Sequence, residues 1–340
     1  MLKRPIRLDM NEDPFLPPAN VIAAARKGLS RLNRYADAED LAQLRRLLAD
    51  YAGVDDRRVV LGPGSEILLR EMIHAFAGKR KVVMLSPSFL PVVEVARETA
   101  ASWTGLRLSP PGFELQPEIL LAETQGPCLV IIDSPNNPTG HLMLERQTVR
   151  ALVENEEALL VIDEAYQEFA RMHGADEEAT DSSFIDLVED YANLAVTRTL
   201  DKAFGLAGAR VGYAAIGEAF RSVFASFYPL LPQPSLGAAL EALEHPAYVE
   251  QHVSRLIEER ERLRQALQEA EARVYASHAN FLLVRSRAPD MAARLRDEGV
   301  LVSDVSNQLP PGFIRVSVGT RRENDAFLAA YRRIMEDVYR

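Results

Sequence analysis

The chain has 340 residues, 47% of them hydrophobic and 26% charged, the balance of a globular protein with enough core for two lobes. A net charge of -10 without any basic cluster argues against a nucleic-acid surface, and no apolar run approaches the length of a membrane span. The single cysteine, Cys128, lies in an apolar run and excludes a disulfide framework or a cysteine-based metal site within the chain.

No metal is expected, and the first five residues lack the apolar core of a signal peptide, so the expected compartment is the cytoplasm. Residues 6–20 are broken by Pro14, Pro17 and Pro18 and read as extended, followed by a short helical pattern through Val21, Ile22, Ala25 and Leu29. Leu41, Leu44, Leu47, Leu48 and Tyr51 recur at helical spacing, and Gly53 supplies the stop. Short runs rich in valine and isoleucine then alternate with helical stretches. The runs fall at 59–61, 82–85, 129–132, 159–162 and 194–196; the helices at 65–76, 91–100 and 145–154. Strands that are apolar throughout and separated by helices predict an α/β fold with a mainly parallel sheet.

After about residue 235 the texture changes. Val253, Leu256, Ile257, Arg260, Leu263 and Leu267 mark a long charged helix that should bridge two lobes. Strands at 281–284, 300–302 and 313–318 and helices at 290–298 and 322–338 describe a smaller α+β lobe. The expected division is a large domain at 30–245 and a small one made of 1–29 and 246–340.

Four stretches carry chemistry. Gly62-Pro63-Gly64-Ser65-Glu66 follows a strand and opens a helix, where free N–H groups and the helix dipole favour an anion such as phosphate. Asp133-Ser134-Pro135-Asn136-Asn137-Pro138-Thr139-Gly140 leaves a strand end, where open α/β sheets place ligands; a turn without a ligand would use the same residue types. Asp163 ends the apolar run Leu159-Leu160-Val161-Ile162 and needs a cationic partner unless it merely caps a helix. Lys202 follows two threonines and leads a glycine-punctuated run to Arg210. That is a place where a lysine can lose its proton and attack an aldehyde, although an exposed loop lysine has the same look.

With the segments Leu8-Asp9-Met10-Asn11-Glu12-Asp13-Pro14, Asn33-Arg34-Tyr35, Asn280-Phe281-Leu282-Leu283 and Ile314-Arg315-Val316-Ser317-Val318-Gly319-Thr320, these stretches make a known pattern. The chain resembles the fold-type-I pyridoxal-phosphate (PLP) enzymes of the class I/II aminotransferase group, and more narrowly the histidinol-phosphate aminotransferases. The resemblance covers nearly the whole chain. It implies a PLP-dependent transferase with a mainly parallel sheet of the seven-stranded type plus a smaller α+β domain. Its partners would be an amino acid and a 2-oxo acid, with a role in amino-acid biosynthesis.

The resemblance also implies roles. Lys202 would form a Schiff base with the PLP aldehyde and move the proton at Cα; Asp163 would pair with the pyridine nitrogen; Tyr166 and Asn137 would bond the phenolic oxygen. Phe89, where the family usually has tyrosine, would stack on the ring. Gly64, Ser65 and Glu66, by their backbone amides, would hold the phosphate with the Thr199 hydroxyl and the Arg210 fork. Tyr35 would reach the neighbouring subunit's cofactor in a homodimer. Arg315, Tyr228 and Asn11 would contact substrate, Arg315 as the bidentate clamp on its carboxylate.

Departures from the family fall on substrate and phosphate recognition. Only seven residues precede Leu8, so the family's N-terminal arm is expected to be missing. Ser303 stands where an arginine near the substrate phosphate is usual, and Glu66 follows Ser65 where the family often has Asn or Asp. Asp201 replaces the serine before the lysine. Its carboxylate should turn away from the phosphate or meet a cation such as Arg210 or Arg198. These changes favour an aromatic or bulky apolar amino donor. The alternatives are a genuine histidinol-phosphate aminotransferase and a decarboxylase of the threonine-phosphate type. A PLP-binding transcription regulator is disfavoured by charge and length.

Overall fold

The computed structural model describes residues 5–171 and 182–338. Strand β1 (Ile6–Leu8) leads to helices α1 (Ala19–Gly28) and α2 (Ala38–Ala52). Leu41, Leu44 and Leu48 are buried along one stripe of α2, and Gly53 ends it in the left-handed conformation at φ 72°. The large sheet is built from β2 (Val59–Gly62), β3 (Lys81–Ser86), β4 (Ser102–Arg107), β5 (Cys128–Asp133), β6 (Ala158–Asp163), β7 (Leu194–Thr199) and β8 (Gly212–Ile216). Their order is β2-β8-β7-β6-β5-β3-β4. Every pairing from β7 to β4 is parallel, whereas β8 runs antiparallel to both its neighbours, β7 and β2.

Every residue of β5 and β6 is buried, because helices cover both faces of the sheet. Alternation decides which cover each side chain meets. Leu129, Ile131, Leu159 and Val161 pack with Leu69, Met72 and Ile73 of helix α3 (Ser65–Phe76) and with Val92 and Val93 of helix α4 (Leu90–Thr99). Val130, Ile132, Leu160 and Ile162 face the opposite core, which includes Val149 and Leu152. Each such aliphatic side chain contributes about 1.5–3 kcal/mol on burial.

The second sheet has the order β1-β11-β12-β10-β9, with β9 (Arg273–Val274), β10 (Phe281–Arg285), β11 (Val300–Asp304) and β12 (Phe313–Ser317). The N-terminal strand β1 closes its edge by pairing in parallel with β11, Ile6 opposite Val300 and Leu8 opposite Val302. Leu8, Leu282, Val284, Ile314 and Val316 form its core with Leu295, Phe327 and Tyr331.

Two details of packing differ from the expected domain limits of 1–29, 30–245 and 246–340. Val21 of α1 belongs to the large core, so the first 29 residues are split, β1 going to the small sheet and α1 to the large domain. The helix Ala247–Glu269 buries Tyr248, Val249, Val253 and Leu256 in the large core and Leu263 and Leu267 in the small one, so the change of core falls within it. The physical reason is that an amphipathic stripe announces burial and not the wall it is buried against. Strands β4 and β8 escape the pattern for opposite reasons. The edge strand β4 is largely uncovered, and β8 is made of small residues (Gly212, Ala214, Ala215) with little strand preference.

Gly212 marks where β8 touches the turn that opens α3. A Cβ there would lie 2.3 Å from the Ser65 nitrogen and 2.5 Å from the Gly64 carbonyl carbon, and backbone on both sides leaves no side chain to yield. Gly212→Ala is expected to lower stability by about 1–3 kcal/mol, read as a lower urea midpoint. An unchanged midpoint would mean that the turn is free to move.

Candidate active site

Parallel register brings three polar residues to one edge. Asp133, Asp163 and Thr197 are paired in sequence at the C-terminal ends of β5, β6 and β7. Asp163 is 8% exposed and accepts a hydrogen bond from Thr197 Oγ1 at 2.8 Å. Burial pushes its carboxyl up to about 7; the Thr197 bond opposes that rise and the neighbouring Asp133 adds to it. Among the described residues no cation pairs with it.

Asp133 has a different task. Its Oδ1 accepts from Ser88 Oγ at 2.8 Å and from Asn136 Nδ2 at 2.9 Å, and its Oδ2 accepts from the Asn137 amide at 2.8 Å. Burial raises this carboxyl too, against those bonds. The loop from Asp133 is thereby anchored with Asn137 held over the strand ends. Asn137 Oδ1 accepts from Arg315 Nη1 at 2.7 Å.

Beyond β7 the chain turns at Asp201 and Lys202. Lys202 Nζ donates to the Met10 carbonyl at 3.2 Å and lies 6.0 Å from the Tyr166 ring centroid. The Tyr166 hydroxyl accepts from Asn11 Nδ2 at 2.9 Å. Asn11 sits at φ 53° and is buried, fixed by the Ser317 hydroxyl and by Asn280 Nδ2, which donates to its carbonyl at 3.0 Å. Asp201 meets Arg210 in a direct ion pair, while Arg198 is taken by the buried Glu164 at 2.8 Å. Of the two cations considered for Asp201, the structure selects Arg210. Gly64 stands at φ 89°, and the space of its absent Cβ is filled by Arg210 Nη2, 2.5 Å from that position.

These groups surround one cavity of about 320 Å³. Asn11, Ser65, Glu66, Phe89, Asn137, Asp163, Tyr166, Thr199, Lys202, Arg210 and Arg315 all line it, and Gly64 shapes its rim through Arg210. The Glu66 carboxylate is occupied by Arg70, one helical turn on, at 2.7 Å. Arg315 comes from the small sheet. Its Nη2 donates to the Asp9 carbonyl at 2.5 Å, and its buried Nε has no partner.

Tyr35 and Tyr228 are elsewhere. They share a separate surface cleft with Leu230, Leu231 and Pro232, where the Tyr228 hydroxyl donates to the Ala36 carbonyl at 3.0 Å. Tyr35 is 80% exposed and Tyr228 46%. Sequence reasoning gave no role to Asp133 or to the backbone carbonyls of Asp9 and Met10. Asp133 was detectable as a second acidic strand end opposite Asp163; the two carbonyls carry no sequence signal at all.

The comparisons with known proteins agree with this arrangement. A family model described as aminotransferase class I and II matches residues 3–330. Histidinol-phosphate aminotransferase 2 of Archaeoglobus fulgidus is 34% identical over 341 residues, covering 98% of this chain and 94% of that relative. The histidinol-phosphate aminotransferase of Thermococcus gammatolerans is 36% identical over 348 residues, covering 97% and 92%. Among solved structures, the histidinol-phosphate aminotransferase from Clostridium acetobutylicum superposes with a TM-score of 0.86 at 23% identity, covering 98% of this chain and 99% of that one. The enzyme from Sinorhizobium meliloti, solved in complex with pyridoxal-5'-phosphate, gives 0.85 at 24% identity, covering 98% and 92%. At those identities the structures establish the shared fold, and the sequence match establishes descent. The chain therefore belongs to the class I and II aminotransferases and is a PLP-dependent enzyme.

Proposed function

We propose that Lys202 is the residue to which PLP is attached and that this cavity performs transamination on an α-amino acid with an aromatic or bulky apolar side chain. The donor set fits the cofactor. Asp163 is a buried carboxylate without a cation among the described residues, and a protonated ring nitrogen would supply one. The Gly64-Ser65 turn, with the Thr199 hydroxyl and Arg210 beside it, would hold the phosphate, and Tyr166 and Asn137 would bond the ring oxygen. Phe89 lines the same space and offers a flat apolar face.

PLP supplies an aldehyde that takes up amines and a ring that accepts the electron pair left when a Cα–H bond breaks. The chain's own groups do the rest. Lys202 Nζ takes the proton from the substrate Cα and returns one during amino transfer. Asp163 keeps the ring nitrogen protonated. Asn11 holds the Tyr166 hydroxyl in place at 2.9 Å. Arg315, clamped by Asn137 and Asp9, lines the cavity and would offer its guanidinium to a carboxylate.

The observation that carries the choice of donor is the scarcity of cations. Among the described residues lining the cavity only Lys202, Arg210 and Arg315 are cationic, and on this reading the first two serve the cofactor. Arg315 is then left for one anionic group, beside Phe89, Pro91 and Met10. A second reading is histidinol phosphate as donor, with Arg315 taking its phosphate. It is supported by the names of the relatives that match along almost the whole chain. A homodimer belongs to either reading. Its support is the exposure of Leu32, Tyr35 and Leu230 in one cleft, a patch suited to a second copy of the chain. The expected compartment remains the cytoplasm.

Two measurements test these assignments. In a half-reaction screen, phenylalanine, tyrosine or leucine is expected to discharge the visible absorbance of the lysine-bound cofactor faster than histidinol phosphate. Arg315→Ala should then lower kcat/KM for the preferred donor about 10- to 200-fold, the loss of one charge-assisted contact. Fast conversion by histidinol phosphate alone would install the second reading, and CO2 release in place of an oxo product would exclude both.

The second measurement concerns Asp163 in cofactor-free protein. Its folded value of about 7 lies above the ordinary 3.8, so ionisation opposes folding; that cost is absent below about pH 4, grows up to about pH 7 and is constant above. At pH 8, cofactor-free Asp163→Asn should be more stable than cofactor-free wild type by as much as about 4 kcal/mol in urea unfolding, with the difference gone at pH 4. With PLP bound the order should reverse. Equal midpoints at pH 8 would show that Asp163 finds a cation within the protein.

A further inference from the structure

We propose that Asp201 is a built-in counter-anion for the phosphate cradle: it occupies Arg210 before the cofactor arrives and loosens the grip on the cofactor phosphate afterwards. Cofactor retention, rather than catalysis, is what this carboxylate sets. The inference rests on the reading that Gly64, Ser65, Thr199 and Arg210 receive the phosphate.

The geometry is a competition for one guanidinium. Arg210 Nη1 is bonded to Asp201 Oδ2, while Nη2 of the same fork overhangs the Gly64-Ser65 turn, filling the space where a Gly64 Cβ would be. Asp201 is only 5% exposed, and its Oδ1 is buried without a hydrogen-bond partner. It therefore has little water to turn to and depends on Arg210 for its charge. Among the described residues no other cation is paired with it. Arg198 is held by Glu164 at 2.8 Å, and Lys202 points to the Met10 carbonyl. Glu66, the other carboxylate beside the turn, is neutralised by Arg70 at 2.7 Å and does not compete.

A phosphate arriving at the turn thus meets an arginine already paired, with a second anion on Nη1 of the same fork. The two anions repel each other across a single positive charge. Arg210 is half-exposed, its side chain 48% accessible, so solvent screens part of that repulsion and the cofactor still binds. The hydroxyl of Thr199 accepts from the Asp201 amide at 3.1 Å and donates to the Val211 carbonyl at a long 3.4 Å, a bond it can exchange for one to phosphate.

The test is equilibrium binding to full-length protein freed of cofactor, titrated with PLP and, in parallel, with pyridoxal, which carries the aldehyde and ring but no phosphate. Asp201→Asn, close to isosteric, should tighten PLP about tenfold and leave pyridoxal within about twofold. Asp201→Ser should move PLP in the same direction. Unchanged or weaker PLP binding in both variants overturns the proposal, since Asp201 would then be orienting Arg210 for the phosphate. Equal tightening of PLP and pyridoxal overturns it as well, because the effect would not act through the phosphate. Arg210→Gln separates the underlying reading: it should weaken PLP and spare pyridoxal. If it spares both, the cradle assignment fails and the proposal falls with it.

Discussion

The carboxylate of Asp163 is held in a place where its charge is costly. Buried at the end of a fully enclosed strand, next to a second carboxylate on β5, it has the Thr197 hydroxyl and the Ala165 amide as partners and, among the described residues, no cation. Much of the surrounding structure reads as what makes that position tenable and useful. Parallel register keeps Asp163 between Asp133 and Thr197, so the site has acid on one side and a donor on the other. The adjacent Glu164 is fully buried but satisfied by Arg198, Ser183 and the Phe184 amide. Two neighbouring acids on one strand end are thus treated in opposite ways, one neutralised within the protein and one left, among the described residues, without a cation.

The site is also a joint between two sheets. Arg315 of β12 reaches Asn137 at the end of β5, and Asn11, fixed by Ser317 and Asn280 of the small domain, holds the Tyr166 hydroxyl of the large one. Each contact couples a group assigned to the cofactor to a group assigned to the substrate. The helix Ala247–Glu269 runs between the two cores and fixes their spacing, with Arg260 wholly buried where one core gives way to the other. On the proposed assignments, recognition of a substrate carboxylate and orientation of the cofactor ring would therefore be coupled through these contacts.

The long apolar runs and their alternation were enough for the α/β class, the mainly parallel sheet, the small α+β lobe and the limits of α3. Burial on both faces leaves short continuous apolar runs, and their regular spacing between helical stretches is what marks a parallel α/β sheet. The motif residues were legible through the family resemblance, and Lys202, Asp163, Asn137 and Arg315 do line one cavity. Tyr35 and Tyr228 were legible as motif members too, but they lie together on the surface away from the cavity. What failed to show were β4 and β8, where exposure or small side chains erase the pattern, and the core to which α1 belongs.

By itself, then, the sequence determined the fold class, the family and the set of polar side chains offered to a ligand. Those follow from local chain order, strand ends and glycine turns. Only the tertiary structure decided which of those groups meet. Arg210 turns to Asp201 and Arg198 to Glu164, Arg70 takes Glu66, and the carbonyls of Met10 and Asp9 receive Lys202 and Arg315. Most of these partnerships join residues far apart in the chain or involve backbone groups common to every residue. The pairing of charges depends on distance in space, which residue types alone do not carry.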